Sequence, residues 1–261
     1  MSTTSNIKRA FIPGCSLPSY NPDAVHNIIE YLQEKLPGTG SILKCCGKPT
    51  KALGKIDKFN ERYGSFQAEV DKLNVDELIV ACQNCYMIMS EHSPNQKVRS
   101  LWEVLPEIGI PEISRGIGKN SDIVFGIQDS CPTRNIPEIH AGMRWIMDEL
   151  GYKYAETPHT KELTRCCGLG GMVSPANPEL ALRVMTRRAE EFQTDYIVTY
   201  CAACRESMVR GGKKSIHILD LIFGGPWNSK SEFPGAPSSP ITSWRNRYKS
   251  KVNINKLYKW K

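Results

Sequence analysis

The chain has 261 residues, 34 lysines and arginines against 27 aspartates and glutamates, and ten cysteines. A chain of this length can bury enough apolar surface for one or two domains to be stable without disulfides or structural metal. No apolar run approaches the ~18 residues that cross a bilayer, and the polar segment 1–10 has no hydrophobic signal sequence. We therefore expect a soluble, cytoplasmic protein, whose reduced thiols serve metal or redox chemistry.

Three short strands are predicted in the first half, and each leads to a cysteine group. These strands are 9–12, 41–44 and 78–81. Apolar residues at helical spacing predict one helix between the first two strands, starting at Asp23 with Asp23 as its cap. A second helix is predicted around residues 63–73, so the order of elements is βαβαβ.

The second half repeats this order. Strands are predicted at 123–127 and 196–199, and helices at 139–150 and 180–192, with a cysteine-bearing loop between the two helices. The stretch 106–120 contains two prolines and three glycines. Because both residue types interrupt regular structure, we interpret this stretch as the joint between the halves.

The ten cysteines show the repeat most clearly, because they fall into two series of five in the same order. Equivalent members are 116 to 121 residues apart, and no cysteine is left over. The first series is Cys15, Cys45, Cys46, Cys82 and Cys85, and the second is Cys131, Cys166, Cys167, Cys201 and Cys204. This pattern indicates a tandem duplication.

The predicted fold is α/β, with two tandem pseudo-symmetric βαβαβ domains, each a small mostly parallel sheet flanked by helices, plus an extended C-terminal tail. The expected boundaries are 1–112, 113–225 and 226–261. In an open parallel sheet with right-handed crossovers, the carboxyl ends of the strands lie at one edge. We therefore expect the five thiols of each repeat to meet there in one site.

The net charge of +7 belongs entirely to segment 226–261, which has eight basic residues and one acidic residue. A solvated tail is one interpretation. The other is that interleaved aromatic residues help it to dock a partner with an acidic surface; nucleic acid is a weaker candidate, because no recognition motif accompanies the charge. These aromatic residues are Trp244, Tyr248, Tyr258 and Trp260.

Five thiolates per site exceed the needs of common metal centres. Tetrahedral zinc takes four ligands, usually as two close pairs, and the C-x2-C-x2-C spacing of ferredoxins is absent. Five ligands favour an unusual iron-sulfur cluster, and glycines beside the adjacent cysteines would let backbone N–H groups approach it. A dithiol redox pair, a structural zinc site and buried core cysteines remain as alternatives. The glycines concerned are Gly47, Gly168, Gly170 and Gly171.

Two copies of C-x(29–34)-C-C-G-x(32–34)-C-x-x-C resemble the cysteine-rich, or CCG, domain found in the B subunit of heterodisulfide reductase and its relatives. The resemblance covers residues 8–223 and includes segments 45–49, 129–134 and 216–221. The basic, aromatic tail and the first C-C-G, where the B subunit tends to have C-C-P, are departures from that pattern.

The resemblance implies two noncubane 4Fe-4S clusters, with reduction or formation of a disulfide or related sulfur bond between them. All ten cysteines would be metal ligands, Cys15, Cys45, Cys46, Cys82 and Cys85 for one cluster and Cys131, Cys166, Cys167, Cys201 and Cys204 for the other. It also implies a ferredoxin-like partner, similar to the C subunit of heterodisulfide reductase and linked to a flavoprotein. The alternative is an electron-transfer iron-sulfur subunit of a 2-hydroxy-acid (glycolate or lactate) oxidation system, without a substrate site of its own.

Overall fold

The structure is a computed structural model that describes residues 7–236 and 239–258. Trp260, one of the four aromatic residues of the predicted docking segment, lies outside this range. The described part of the chain has eight strands: β1 Arg9–Ile12, β2 Thr39–Ser41, β3 Glu77–Val80, β4 Lys97–Ser100, β5 Val124–Gln128, β6 Lys153–Ala155, β7 Tyr196–Thr199 and β8 Lys214–His217.

Twelve α-helices connect and cover the strands within the described residues. They are α1 Ser16–Tyr20, α2 Pro22–Lys35, α3 Lys48–Ala52, α4 Ile56–Leu73, α5 Gln83–His92, α6 Leu101–Ile108, α7 Pro137–Leu150, α8 Val173–Ala176, α9 Pro178–Glu190, α10 Ala202–Arg210, α11 Ile218–Phe223 and α12 Pro240–Tyr258. Short 3₁₀ turns occur at Glu112–Ser114, Cys131–Thr133 and Lys161–Leu163. Among the helices so described, none is both long and apolar enough to cross a membrane.

The strands form two four-stranded parallel sheets, one in each half of the chain. Their orders are β2-β1-β3-β4 and β6-β5-β7-β8, so the second repeats the first. The α/β fold with two tandem domains is therefore confirmed. Each domain has one strand more than the predicted βαβαβ, because β4 and β8 extend the sheets beyond the third strand. In the second domain, the prediction also misses β6, since it lies at Lys153–Ala155, where no strand is predicted.

The strands at the centre of each sheet are buried on both faces, which explains their continuous apolar sequences. In the first sheet, Ile12, Leu78 and Val80 pack with Phe66 and Val70 of α4. The sulfur-bearing residues belong to the same packing, because Cys46 and Cys85 are only 3% exposed. The thiols therefore lie at the edge of the core.

Two compact units are present, the first comprising Met1–Leu101 with Pro240–Lys261 and the second Trp102–Ser239. The expected extended tail is wrong for residues 240–258, which form α12 and pack on α1 and α2. Pro240 fits the first turn of a helix, where its missing N–H costs nothing. We keep 1–112 and 113–225 as the proposed limits of the sequence repeats.

Two local predictions also need correction. The cap of α2 is Asn21, whose side chain accepts hydrogen bonds from the backbone N–H groups of Asp23 and Ala24 at 3.1 and 2.9 Å, so Asp23 lies inside the helix. Asparagine is among the preferred capping residues, because its short side chain reaches back to these groups. The second strand is Thr39–Ser41 instead of 41–44, which leaves a loop before Cys45.

Candidate functional site: two five-thiol centres

The first five cysteines lie in one continuous series of side-chain contacts. Cys15 hydrogen-bonds Cys45, Cys45 hydrogen-bonds Cys46, and Cys85 bonds both Cys46 and Cys82. The sulfur atoms of Cys46 and Cys85 are 3.1 Å apart. All five are free thiols, so the topology brings the predicted residues of the first repeat into one site.

The second five cysteines repeat this order of contacts. Cys131 hydrogen-bonds Cys166, Cys166 bonds Cys167, and Cys204 bonds both Cys167 and Cys201. The sulfur atoms of Cys167 and Cys204 are 3.3 Å apart. Cysteines that are equivalent in the two sequence repeats therefore also make equivalent sulfur contacts in the structure.

Each centre is assembled from the ends of three strands. In the first, Cys15 directly precedes α1 after β1, the Cys45–Cys46 pair lies between β2 and α3, and Cys82 occupies the N-cap position of α5 after β3. The N-terminus of a helix carries a partial positive charge, which favours a thiolate there. In the second, Cys201 occupies the N-cap position of α10 after β7.

One thiol of each adjacent pair is strongly acidic. Hydrogen bonds from Cys15 and Cys46, helped by the backbone N–H of Gly47 and the positive charge of Arg62, lower the pKa of Cys45 to about 2. Each donor is affected in the opposite direction. The hydrogen bond to Cys45 raises the pKa of Cys15, and the hydrogen bond to Cys45 raises the pKa of Cys46 to about 12. Cys45 is therefore the thiolate around which its neighbours remain protonated.

The second centre has the same electrostatic order. Hydrogen bonds from Cys131 and Cys167, the N–H of Gly168 and the charge of Arg134 lower the pKa of Cys166 to about 2. The bond to Cys166 raises the pKa of Cys167 to about 12. Because metal ligation by cysteine requires thiolates, Cys45 and Cys166 are prepared ligands in their respective centres.

A hydrogen bond from Cys204 also lowers the pKa of Cys201, to about 6, while burial opposes that shift. The hydrogen bonds to Cys167 and Cys201 raise the pKa of Cys204 well above its ordinary value. In the first centre, the hydrogen bonds to Cys46 and Cys82 likewise raise the pKa of Cys85. Cys85 and Cys204, both deeply buried, are therefore thiols that must lose their protons before they can ligate a metal.

Backbone groups approach the thiols where glycine is present. Gly47 and Gly168 have positive φ angles of 75° and 93°, and each donates its N–H to the first sulfur of the adjacent pair at 3.4 Å. The N–H groups of these two glycines thus point at cysteine sulfur, and their approach to a cluster stays a prediction. Nothing in the sequence singles out Gly14 in the same way, although its added Cβ would lie 2.6 Å from Cβ of Cys82.

The basic residues beside the cysteines have different roles. Arg134 lowers the pKa of Cys166 and donates Nε to the Thr164 carbonyl at 2.7 Å, whereas Arg165 forms an ion pair with Glu191 at 2.5 Å. Arg62, on α4, cannot be recognised from the sequence, because nothing near it in the chain marks it as a neighbour of Cys45.

The loop before Cys131 is held by a buried ion pair. Arg144 binds both carboxylate oxygens of Asp129, at 2.6 and 2.8 Å, and also Glu156 at 2.8 Å. Burial acts to raise the pKa of Asp129, but the hydrogen bonds and charge of Arg144 outweigh it and lower this pKa. Tyr200 contacts the same carboxylate and accepts the N–H of Ser130 at 3.0 Å.

The donor chemistry fits an iron-sulfur cluster: five thiols in contact, one strongly acidic, with N–H groups directed at sulfur. The sulfur positions are those of hydrogen-bonded thiols. Sulfur ligands around one tetrahedral ion, with bonds of about 2.3 Å, lie about 3.8 Å apart. Accordingly, in residues 7–236 and 239–258 no three His, Cys, Asp or Glu side chains are grouped to hold a metal ion. Deprotonation and separation of the thiols would precede ligation.

The fold and the two centres define a class of protein with tandem cysteine-rich α/β domains. The chain belongs to the cysteine-rich domain family called CCG, whose model matches residues 9–90 and 125–208. Each matched segment contains one complete five-cysteine set.

Curated relatives carry related names. The chain is 28% identical over 196 residues to an uncharacterized iron-sulfur protein of Methanococcus maripaludis, covering 68% of this chain and 37% of that protein. It is 25% identical over 203 residues to the D subunit of dihydromethanophenazine:CoB–CoM heterodisulfide reductase from Methanosarcina acetivorans, covering 68% and 47%. It is 21% identical over 233 residues to the B subunit of fumarate reductase (CoM/CoB) from Methanothermobacter marburgensis, and the match covers 81% of this chain and 44% of that subunit. The chain thus spans about half or less of the length of these relatives.

Proposed function

We propose that this chain is an iron-sulfur subunit of a heterodisulfide-reductase-like oxidoreductase, with one noncubane 4Fe-4S cluster in each five-thiol centre. The observation that carries the proposal is the identical order of sulfur contacts in the two centres. A zinc site or a dithiol pair would use only part of each set. The name of the Methanococcus relative supports iron-sulfur chemistry, and the name of the Methanosarcina relative supports heterodisulfide reduction.

The proposed ligands are all ten cysteines, Cys15, Cys45, Cys46, Cys82 and Cys85 in the first centre and Cys131, Cys166, Cys167, Cys201 and Cys204 in the second. When bound, the clusters would supply one-electron transfer and iron atoms with affinity for sulfur. The chain's own residues prepare the centres. Gly47 and Gly168 direct N–H groups at sulfur, and Arg62 and Arg134 offset negative charge beside Cys45 and Cys166.

The proposed reaction is reductive cleavage of an organic disulfide, or its reverse. The S–S bond breaks, and two electrons and two protons convert the disulfide into two thiols. A reduced ferredoxin-like iron-sulfur subunit, itself linked to a flavoprotein, would supply the electrons singly. Two one-electron centres match this two-electron reaction.

Metal content tests the cofactor. Anaerobic reconstitution should give about eight iron and eight sulfide per chain, as expected for two 4Fe-4S clusters. Cys85→Ser and Cys204→Ser should each change the electron paramagnetic resonance of one cluster and leave the other, so each variant is the other's control. One zinc per domain without sulfide, or unchanged spectra in both variants, would contradict the proposed ligation.

Turnover tests the reaction separately. The loaded protein should reduce a small organic disulfide with reduced methyl viologen as the electron donor, releasing two thiols per disulfide. A protein that holds both clusters and exchanges electrons with the donor, yet releases no thiol, would instead be an electron-transfer subunit, as in the 2-hydroxy-acid oxidation alternative.

A further inference from the structure

A cavity of about 410 Å³ lies in the first unit, between α12 and the first five-thiol centre. Cys15 and Cys45 are on one side of it. The other side is formed by α12 side chains one turn apart, which are Trp244, Arg247, Tyr248 and Lys251. Its volume is within the range of small-molecule sites.

Polar contacts fix α12 beside the cavity. Asn246 Nδ2 donates to the Ser19 carbonyl at 2.8 Å, and Arg247 Nε donates to Ser19 Oγ at 2.5 Å. Ser19 in turn donates to the Cys15 carbonyl at 2.8 Å, so the helix is joined to the turn that carries a proposed ligand. Lys249 pairs with Asp23 on α2 at 2.7 Å.

The charge in the cavity has one sign. Arg247 and Lys251 are cationic, and no acidic side chain of the described residues lines the cavity. Within residues 7–236 and 239–258, neither cation forms an ion pair with a carboxylate. Pro18, Leu43 and Trp244 provide apolar walls. A ligand that satisfies these surroundings has an anionic group and a short apolar body.

We propose that this cavity binds an anionic organic sulfur compound, a disulfide or its thiol product that carries a carboxylate or a similar acidic group. The anionic group contacts Arg247 and Lys251, and the sulfur is held at the Cys15–Cys45 side. This inference deepens the proposed function, on which it rests, by naming the charge of the substrate. It also gives the C-terminal helix a role beyond a solvated tail.

The geometry favours a small molecule over an acidic partner protein. The cavity is a concave space of about 410 Å³ with Cys15 and Cys45 on one side, which is the size and shape of a small-molecule site. The wall residues Trp244 and Tyr248 remain 70% and 69% exposed, so the cavity stays open to a solute from solution. The alternative, that this face binds an acidic partner protein, is tested by the variants described below.

The first measurement uses a probe that cannot react with thiols. Isothermal titration of the cluster-loaded full chain with 3,3′-thiodipropionate, a dianionic thioether, should show binding, and the neutral thioether 3,3′-thiodipropanol should bind at least about tenfold more weakly. Equal binding of the two probes, or binding of neither, overturns the proposal.

Variants locate the site. Arg247→Gln with Lys251→Gln should weaken thiodipropionate binding about tenfold. Arg245→Gln with Lys256→Gln removes the same two charges from α12 outside the cavity and should change binding less than about twofold. Equal effects of the cavity and control variants would refute a defined site. If the double variant binds the thioether normally but assembles poorly with the iron-sulfur partner, the face is a protein contact and the proposal is overturned.

Failure of this inference differs from failure of the proposed function. Charge-selective thioether binding without reduction of 3,3′-dithiodipropionate would support the cavity and contradict the disulfide chemistry. Equal reduction of 3,3′-dithiodipropionate and of bis(2-hydroxyethyl) disulfide, unaffected by Arg247→Gln, would support the chemistry and contradict the cavity. Circular dichroism of each variant separates loss of binding from loss of folding.

Discussion

Gly14 shows how closely the backbone passes the first centre. Its φ is +77°, and an added Cβ would lie 2.6 Å from Cβ of Cys82 and 3.3 Å from its sulfur. Gly14→Ala should therefore displace Cys82, lower stability by about 2 to 4 kcal/mol and remove about half of the bound iron. Iron analysis and urea unfolding measure both effects.

Gly54 provides the matched control for Gly14. It has a similar φ of +71°, but an added Cβ would meet nothing within 4 Å. Gly54→Ala should cost only about 1 kcal/mol, from backbone strain, and should leave the iron content unchanged. If both alanine variants lose equal stability and keep their iron, contact with Cys82 is not what requires glycine at position 14.

His217 is the titrating residue with the clearest effect on stability. It caps α11 by accepting the N–H of Leu219 at 3.3 Å, and burial, with the charge of Arg205, lowers its pKa from 6.5 to about 3. A base whose folded pKa is lowered stabilises the fold above pH 6.5 and loses that contribution as the pH falls toward 3. The loss should be about 1.4 kcal/mol between about pH 7.5 and 5.5.

Urea unfolding over this pH interval tests the effect of His217. His217→Asn retains a capping acceptor but cannot titrate, so its stability should vary less with pH. A parent-like slope in His217→Asn would show that another group causes the acid sensitivity.

At the scale of elements, the packing of α12 on α1 and α2 depends on a narrow buried stripe of the helix surface. Ile254 is 5% exposed and Ser250 1%, whereas Ile241 on the same helix is 78% exposed. Ile254→Ala should destabilise the docking of α12 by about 2 to 3 kcal/mol, since a buried isoleucine loses its packing. Hydrogen exchange of the α12 amides should accelerate in this variant.

Ile241→Ala is the control for that prediction. This variant also replaces an isoleucine of α12 by alanine, but at a position where the side chain has little packing to lose. The hydrogen-exchange rate of the α12 amides should therefore change less than about twofold. Similar acceleration in both variants would mean that helix propensity, and not docking on α1 and α2, determines the exchange rate.

The same stripe explains why α12 is not predictable from the sequence. Its two most buried residues, Ser250 and Ile254, include only one apolar side chain, so the helix has no strong apolar periodicity. The strands β4 and β8 escape prediction because Lys97 and Lys214 begin short edge strands of mixed polarity. The central strands and the grouping of the thiols are predictable, because continuous apolar runs and a duplicated cysteine order are strong signals.

At the scale of the whole molecule, one duplicated centre is supported by two different surroundings. Position 129 is Asp in the second repeat and corresponds to Pro13 in the first. The loop before Cys131 is held by the buried Asp129–Arg144 pair, whereas in the first unit Gly14 and α12 border the loop that carries Cys15. Duplication therefore preserved the sulfur contacts, while the residues that hold them diverged.

This divergence predicts that each centre can be weakened alone. Asp129→Asn leaves Arg144 buried with a single carboxylate, Glu156, and should cost about 3 kcal/mol in the second unit. Asp122→Asn alters a fully exposed aspartate of the same unit and should have little effect. In electron paramagnetic resonance, Asp129→Asn should diminish the signal that Cys204→Ser removes and spare the one that Cys85→Ser removes. Equal loss of both signals would contradict a role of the Asp129–Arg144 pair that is local to the second centre.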